Sequence, residues 1–332
     1  MTISIGIIGS GQITQRSHLP GLQADKRCKV VAIAARNEDR LQQVATNFNI
    51  PHYYTDWRKM LDEEPLDAVT ITTPPVFHRE MVVAALEKGL DVLVEKPLAP
   101  SLKDVEVIVG AAKQSDRIVM VEQTLRYNPT FWQVAELIRS GVIGEIKRIH
   151  AALLNLGARA WAPDSTWFFD PEIAGGGALL DSGVHMVDLV RHMSGSNLAD
   201  LNGELVYTNL SPVEEEATLT AWLENDVQAT IDLSWHVDPP RVAITLYGSE
   251  GYLHADAKSP IPVMIHHKNG QVSIPTVDRP TWFGYAYKHF VDCCQQRTQP
   301  LTSVLDNQHT IAPLLSLYQK PTTQTRHKTF ES

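Results

Sequence analysis

The stretch Ile5-Gly6-Ile7-Ile8-Gly9-Ser10-Gly11-Gln12-Ile13-Thr14 decides how the first third of the chain is read. An apolar run leads into two glycines, and a helical pattern follows. Gly9 permits the tight turn out of a strand, and Gly11 lets backbone amides at a helix N-terminus approach a pyrophosphate. The third small position of such a dinucleotide fingerprint is Thr14, slightly bulky for close helix–strand contact. Taken alone, the motif reads equally well as a glycine turn with no ligand. Its surroundings favour the dinucleotide. Apolar runs at 3–8, 30–35, 68–72, 92–94 and 118–121 alternate with helical patterns around 36–48, 77–88 and 101–114. Continuous apolar runs fit parallel strands covered on both faces by crossover helices. In the second helical pattern Val82, Val83, Ala85 and Leu86 recur at helical spacing, and Gly89 closes it as a C-cap.

The pattern changes near residue 120. A helix is predicted over 129–139, ending at Gly141, and a strand over 146–156. From about residue 202 the chain reads as antiparallel strands. Runs at 217–223 and 227–235 meet at Glu224-Asn225-Asp226, a hairpin signal, and strands at 242–247 and 251–255 follow. The expected organisation is a dinucleotide-binding domain over 1–122 and an α+β domain over 123–332. The second is expected to pack tightly on the first, with a late helix near 282–295 returning to it. There is no internal repeat.

Of 332 residues, 43% are hydrophobic and 20% charged, which suffices for two cores. Lys plus Arg total 29 against 38 Asp plus Glu, a net charge of −9 that argues against general affinity for nucleic acid or anionic membranes. Cys28, Cys293 and Cys294 have neither disulfide-framework nor metal-ligand spacing, and read as idle thiols in a reducing compartment. No leader pattern opens the chain and no apolar run approaches the ~20 residues of a membrane span, so a soluble, cytoplasmic protein is expected.

The second strand bears on the cofactor. NAD sites usually end it with Asp or Glu, which accepts from the ribose hydroxyls. Here it runs into Ala34-Ala35-Arg36-Asn37, with no carboxylate. A carboxylate would repel a 2′-phosphate, whereas Arg36 can pair with one. The expectation is NADP in preference to NAD; the alternative has Arg36 stack over the adenine and leaves NAD usable. At the end of the 92–94 strand stands Glu95-Lys96-Pro97, where Lys96 is directed toward the ligand side of an open α/β sheet and an X-Pro bond can be cis. Further on comes Ala174-Gly175-Gly176-Gly177-Ala178-Leu179-Leu180-Asp181-Ser182-Gly183-Val184-His185-Met186-Val187-Asp188. Glycines allowing close backbone approach precede a helix on which Asp181 and His185, four apart, share a face. Histidine is the natural proton carrier for a carbinol-to-carbonyl step, and Asp181 can orient it or hold a substrate hydroxyl. Asp188 reads as structural.

These motifs together resemble the glucose–fructose oxidoreductase, inositol dehydrogenase and rhizopine-catabolism (Gfo/Idh/MocA) family. The resemblance runs through Gly9-Ser10-Gly11-Gln12-Ile13, His18-Leu19-Pro20, Thr72-Thr73-Pro74 with His78, and Glu95-Lys96-Pro97-Leu98-Ala99. It continues through Arg126-Tyr127-Asn128-Pro129, residues 175–188, Gly248-Ser249-Glu250-Gly251 and Phe290-Val291-Asp292. It implies a Rossmann domain followed by an α+β domain with a large, open, mainly antiparallel sheet. In this family the exposed sheet face commonly packs against another subunit, so a homo-oligomer is implied. The resemblance also implies Lys96, Asp181 and His185 as the catalytic set. Gly9, Gly11, Gln12, Ile13, Arg36, Asn37, Thr72, Pro74, His78, Glu95 and Lys96 would lie along the cofactor. Substrate contacts would come from Asp181, His185, Trp167, Phe168 and Arg126.

One position departs from the family. The pattern Trp-Arg-x-Asp-Pro reads here Trp167-Phe168-Phe169-Asp170-Pro171, so Phe168 replaces an arginine suited to hydroxyls or anions. With Trp161, the aromatics suggest a more apolar pocket wall that can stack on the C–H face of a sugar ring, or a local core. Arg126 is then the remaining candidate for a polar substrate contact. The expected activity is hydride transfer between a secondary alcohol (a sugar, cyclitol, or related polyol or diol) and nicotinamide C4, no metal taking part. His185 would exchange the hydroxyl proton, Lys96 would polarise the oxygen and Asp181 would position the histidine. The alternatives are a non-catalytic dinucleotide-binding sensor or regulatory subunit, and the same chemistry on a non-sugar substrate, an aldehyde, imine or trans-dihydrodiol.

Overall fold

A computed structural model describes residues 2–267, 270–274 and 283–329. The chain divides into two units, one from residues 1–122 and 280–308, the other from residues 123–279 and 309–332.

The first unit is built on six parallel strands: β1 (Ile3–Ile8), β2 (Cys28–Ala34), β3 (His52–Tyr54), β4 (Ala68–Ile71), β5 (Asp91–Val94) and β6 (Val119–Val121). Their order is β3-β2-β1-β4-β5-β6. The chain leaves β1 in one direction, then returns to lay β4 on its other side, and the ligand side of such a sheet lies at this switch point. Gly9 follows β1 and Thr72 follows β4, so both stand there. The apolar runs are buried as parallel strands should be, with Ile5, Ile7, Ile33, Val69, Ile71 and Val92–Val94 closed to solvent.

A helical stretch follows the glycine loop, π-type over Thr14–His18 and continuing as α1 (Leu19–Gln23). The other crossovers are α2 (Glu38–Asn47), α3 (Trp57–Glu63), α4 (His78–Glu87) and α5 (Leu102–Gln114). Side chains of Asn37, Asp56 and Ser101 cap α2, α3 and α5 by accepting from otherwise orphaned amides. β3 and α3 were not anticipated: β3 is three residues long and mostly exposed, so no apolar run announces it.

The second unit opens with α6 (Pro129–Arg139), followed by the short helices α7 (Ala158–Trp161), α8 (Pro171–Ala174) and α9 (Ala178–Asp181) and by α10 (Gly183–Ser194). Its sheet comprises β7 (Ile146–Leu154), β8 (Leu198–Thr208), β9 (Glu214–Leu223), β10 (Gln228–Ser234), β11 (Arg241–Gly248), β12 (Gly251–Asp256), β13 (Val263–His267), β14 (Gly270–Ile274) and β15 (Gln324–Lys328). Among the described residues they form nine strands in the order β14-β13-β12-β11-β7-β10-β9-β8-β15. β10 is parallel to β7 and β15 to β8, and the other pairs are antiparallel. The β9–β10 hairpin turns at the predicted Glu224-Asn225-Asp226, with Asp226 at φ 64°. The sheet is mixed but mainly antiparallel, and α10 packs on β7 and β10.

Late in the chain come α11 (Phe283–Gln296) and α12 (Val304–Leu317). The helix expected at 282–295 corresponds to α11; Trp282 lies outside the described residues. In the first unit Tyr287 of α11 lies against Gly21 of α1, where a Cβ would be 2.0 Å from the Tyr287 ring. All three cysteines are buried free thiols. Among the described residues, no helix is long and apolar enough to cross a membrane.

Candidate functional site

The glycine loop is held open by its neighbours in the first unit. Gly9 has φ +120°, and a Cβ on it would lie 2.3 Å from Thr72 Oγ1. Both the backbone conformation and the space exclude other residues. A Cβ on Gly11, by contrast, would meet nothing within 4 Å. The backbone at Gly11 therefore faces open space where the helical stretch begins, the place a pyrophosphate requires. Nearby, Gln12 Oε1 is buried without a hydrogen-bond partner among the described residues. These features fit a dinucleotide. Thr14 is fully buried, and its hydroxyl is 2.8 Å from Thr72 Oγ1, which also donates to Ile8 O at 3.1 Å. The bulk expected to be a flaw at Thr14 is thus used to tie the loop to the end of β4.

Other predicted cofactor residues occupy less direct positions. Pro74 lies in the turn after β4 and opens a short 3-10 turn, Pro75–Phe77. His78 is fully buried, with Nε2 2.7 Å from Thr73 O and Nδ1 3.2 Å from Leu98 O. Burial pushes its pKa down, and both ring nitrogens face backbone carbonyls, to one of which the neutral ring donates. Asn37 caps α2, accepting from Arg40 N at 2.9 Å. Arg36 is exposed, with its guanidinium 5.3 Å from the centre of the Phe77 ring, and it has no ion-pair partner among the described residues.

Across residues 90–99, every residue except Lys96 is buried. The Lys96–Pro97 bond is cis. Beneath it, Glu95 accepts from Lys96 N at 3.1 Å and pairs with His18 Nε2 at 2.7 Å. Burial raises the Glu95 carboxyl, but the His18 bond, His18 charge and Lys96 more than offset this and hold it below its ordinary range. The His18 ring lies 5.0 Å from that of Tyr287, whose hydroxyl donates to Ser17 at 3.0 Å. Glu122, just past β6, is buried, and among the described residues neither carboxyl oxygen accepts a hydrogen bond. Burial, with the charge of Glu95, pushes it well above its ordinary value. The His18–Glu95 pair was not foreseen because its members stand 77 residues apart; only the His18-Leu19-Pro20 string hinted at it.

In the second unit the glycine run is anchored from β9. Glu214 accepts from Gly177 N at 2.8 Å, Leu179 N at 3.0 Å and the Tyr318 hydroxyl at 2.8 Å. The single helix expected after the glycines is broken at Ser182 into α9 and α10, so Asp181 ends one helix and His185 lies in the first turn of the next. Both remain partly open to solvent. Over residues 176–191, Asp181 and His185 are the only two that are not buried.

Two of the expected substrate residues are engaged in protein contacts. Arg126 is buried and bound bidentately to Asp188, with Nε and Nη2 each donating at 2.7 Å. That face of its guanidinium is committed to structure, as is Asp188. Phe168 is also buried, packed with Ala158 and Ala162 and stacked on Trp167 at 3.7 Å, so it belongs to a local core. Trp161, Trp167 and Phe169 remain partly exposed around it.

Comparison with known proteins agrees with this architecture. Residues 3–123 match the model of the oxidoreductase family with NAD-binding Rossmann fold, and residues 131–254 match the Gfo/Idh/MocA C-terminal domain. A trans-1,2-dihydrobenzene-1,2-diol dehydrogenase of Xenopus tropicalis is 24% identical over 315 residues, covering 92% of each chain. A dTDP-3,4-didehydro-2,6-dideoxy-alpha-D-glucose 3-reductase of Actinomadura kijaniata is 32% identical over 196 residues, covering 59% of this chain and 57% of that protein. An oxidoreductase of Agrobacterium radiobacter, solved with NAD+, L-tartaric acid and magnesium, has the same fold, with a TM-score of 0.88 at 21% identity over 96% of each chain.

Proposed function

Because the chain belongs to the Gfo/Idh/MocA family of NAD(P)-dependent oxidoreductases, we propose that it oxidises or forms a secondary alcohol on a sugar, cyclitol or related polyol. The burial pattern carries this reading: Lys96 in one buried stretch, and Asp181 with His185 in another, are the side chains that reach solvent. A relative acting on a dTDP-sugar supports the substrate class. When bound, the nicotinamide dinucleotide exchanges a hydride with the carbinol carbon. Lys96 hydrogen-bonds the reacting oxygen and stabilises the charge it gathers as its proton leaves. His185 takes that proton in oxidation and returns it in reduction, and Asp181 orients the imidazole. The Lys96 backbone N–H donates to Glu95, which is paired with His18.

The cofactor is NADP in preference to NAD. Arg36 follows a second strand with no terminal carboxylate, it is exposed, and among the described residues its guanidinium has no acidic partner to displace before it meets a 2′-phosphate. The chain also assembles as a homo-oligomer through the open sheet face of the second unit.

Purified protein incubated with NADP+ or NAD+ against inositols, aldoses and diols should generate reduced cofactor at 340 nm with at least one polyol. kcat/KM should favour NADP+ by roughly tenfold or more, and Arg36→Ala should abolish that preference. Absence of turnover across the panel would overturn the activity, and a strong NAD+ preference would overturn the cofactor choice.

A further inference from the structure

The loss of the family's arginine at Phe168 leaves open what polar group recognises the substrate, and a second arginine lies against the same aromatic cluster. Arg159, in α7, lays its guanidinium 4.4 Å above the Phe169 ring. Its Nη1 pairs with Glu215, whose side chain is fully buried while that of Arg159 is 37% exposed. Glu215 further accepts from the Thr208 hydroxyl and lies 3.2 Å from His236 Nε2. The cation is therefore fixed from behind and stacked from below, with an edge turned to solvent.

Its station is tied to the proposed proton-transfer residues by one ring. Gly157 passes so close to Trp235 that a Cβ there would lie 2.7 Å from the indole. The Phe169 ring stands edge-on to the same indole at 5.8 Å. On its other side, Trp235 Nε1 donates to Ser182 Oγ at 3.3 Å, between Asp181 and the start of α10. Trp235 is buried, so the Arg159 segment and the Asp181–His185 segment are referenced to one rigid element.

We propose that Arg159 is the specificity-determining residue of this enzyme, selecting an uncharged polyhydroxylated ring over a sugar acid. This rests on the polyol reading above. The chemistry follows from the pairing. A free guanidinium attracts carboxylates bidentately, but here the Glu215 carboxylate lies directly behind it and offsets its charge. What remains is a fixed N–H edge that donates to hydroxyl oxygens, with the partly exposed Trp161 and Trp167 to receive the C–H face of a ring. A carboxylate placed on that edge gains the same hydrogen bonds yet faces Glu215 at short range.

The test uses ligand-detected saturation-transfer NMR on the full-length protein, with and without NADPH, so that no turnover is needed. The probes are methyl glucoside and myo-inositol against glucuronate. Wild-type protein should bind at least one neutral probe about tenfold or more tightly than glucuronate. Arg159→Met, at a part-exposed position, should weaken the neutral probe about tenfold while leaving NADPH affinity unchanged, and Arg159→Lys should restore part of the loss. Glu215→Gln should shift preference toward glucuronate. Equal or tighter glucuronate binding by wild type, no binding of any probe, or unchanged affinity in Arg159→Met would overturn the assignment. Arg159-dependent binding without turnover would instead remove the proposed activity and leave this inference standing; turnover indifferent to Arg159→Met would do the reverse.

Discussion

Glu122 carries a carboxyl group that folding removes from water without a hydrogen bond in return among the described residues. Its pKa is raised by burial and by Glu95, so the folded protein retains a proton that the unfolded chain releases near the ordinary carboxylate value of 4.5. Above that pH the native state binds more protons, and stability falls as pH rises toward the folded-state value. Glu122→Gln should raise the melting temperature at pH 7–8 and flatten the pH dependence above about pH 4.5. Parallel melting curves for variant and wild type across pH 5–8 would contradict this. Glu95, held low by His18, acts in the opposite sense, and its contribution is lost in acid. The proposed catalytic residues Lys96, Asp181 and His185 stand in contiguous strings that sequence reading can single out. Glu122, the His18–Glu95 pair and the Arg159–Glu215 pair could not be singled out, because chain folding alone brings their members together or buries them.

At the scale of elements, strands buried on both faces announce themselves as apolar runs, and β1, β4, β5 and β6 fall where those runs fall. β3 lacks such a run. The interruption at Ser182 escaped notice because the helical spacing of residues 178–190 continues through it, and the anchoring of Gly177 by Glu214 on β9 is not a local property. The packing of α11 on α1 depends on Gly21, since a methyl there would overlap the Tyr287 ring. Gly21→Ala should therefore cost about 1–3 kcal/mol of stability despite the better helix propensity of alanine. An unchanged midpoint in urea denaturation would show that Tyr287 moves aside freely. Arg126 and Phe168 stand at their motif positions, where folding also gives them contacts that no local string announces, with Asp188 and with a local core.

At the scale of the molecule, the second unit presents a sheet face on which Trp222 and Thr218 of β9 are exposed between buried neighbours. On this face Tyr247 and Tyr252 pair across β11 and β12, and His266 stacks on Tyr252 at 4.2 Å. Nine strands at about 4.8 Å spacing span roughly 40 Å, ample for the ~800 Å² per partner of a stable interface. Trp222→Glu with Tyr252→Glu should convert an oligomer to monomer in sedimentation velocity; a monomeric wild type, or an unaffected oligomer, would exclude this face. The proposed chemistry rests on Lys96, Asp181 and His185. Its most direct test is single-turnover hydride transfer by Lys96→Ala and His185→Ala, measured at saturating cofactor with dinucleotide affinity determined alongside. Each variant should lose about 10²–10⁴-fold in rate, with cofactor affinity for His185→Ala within about threefold of wild type. Both variants turning over near the wild-type rate would contradict the account.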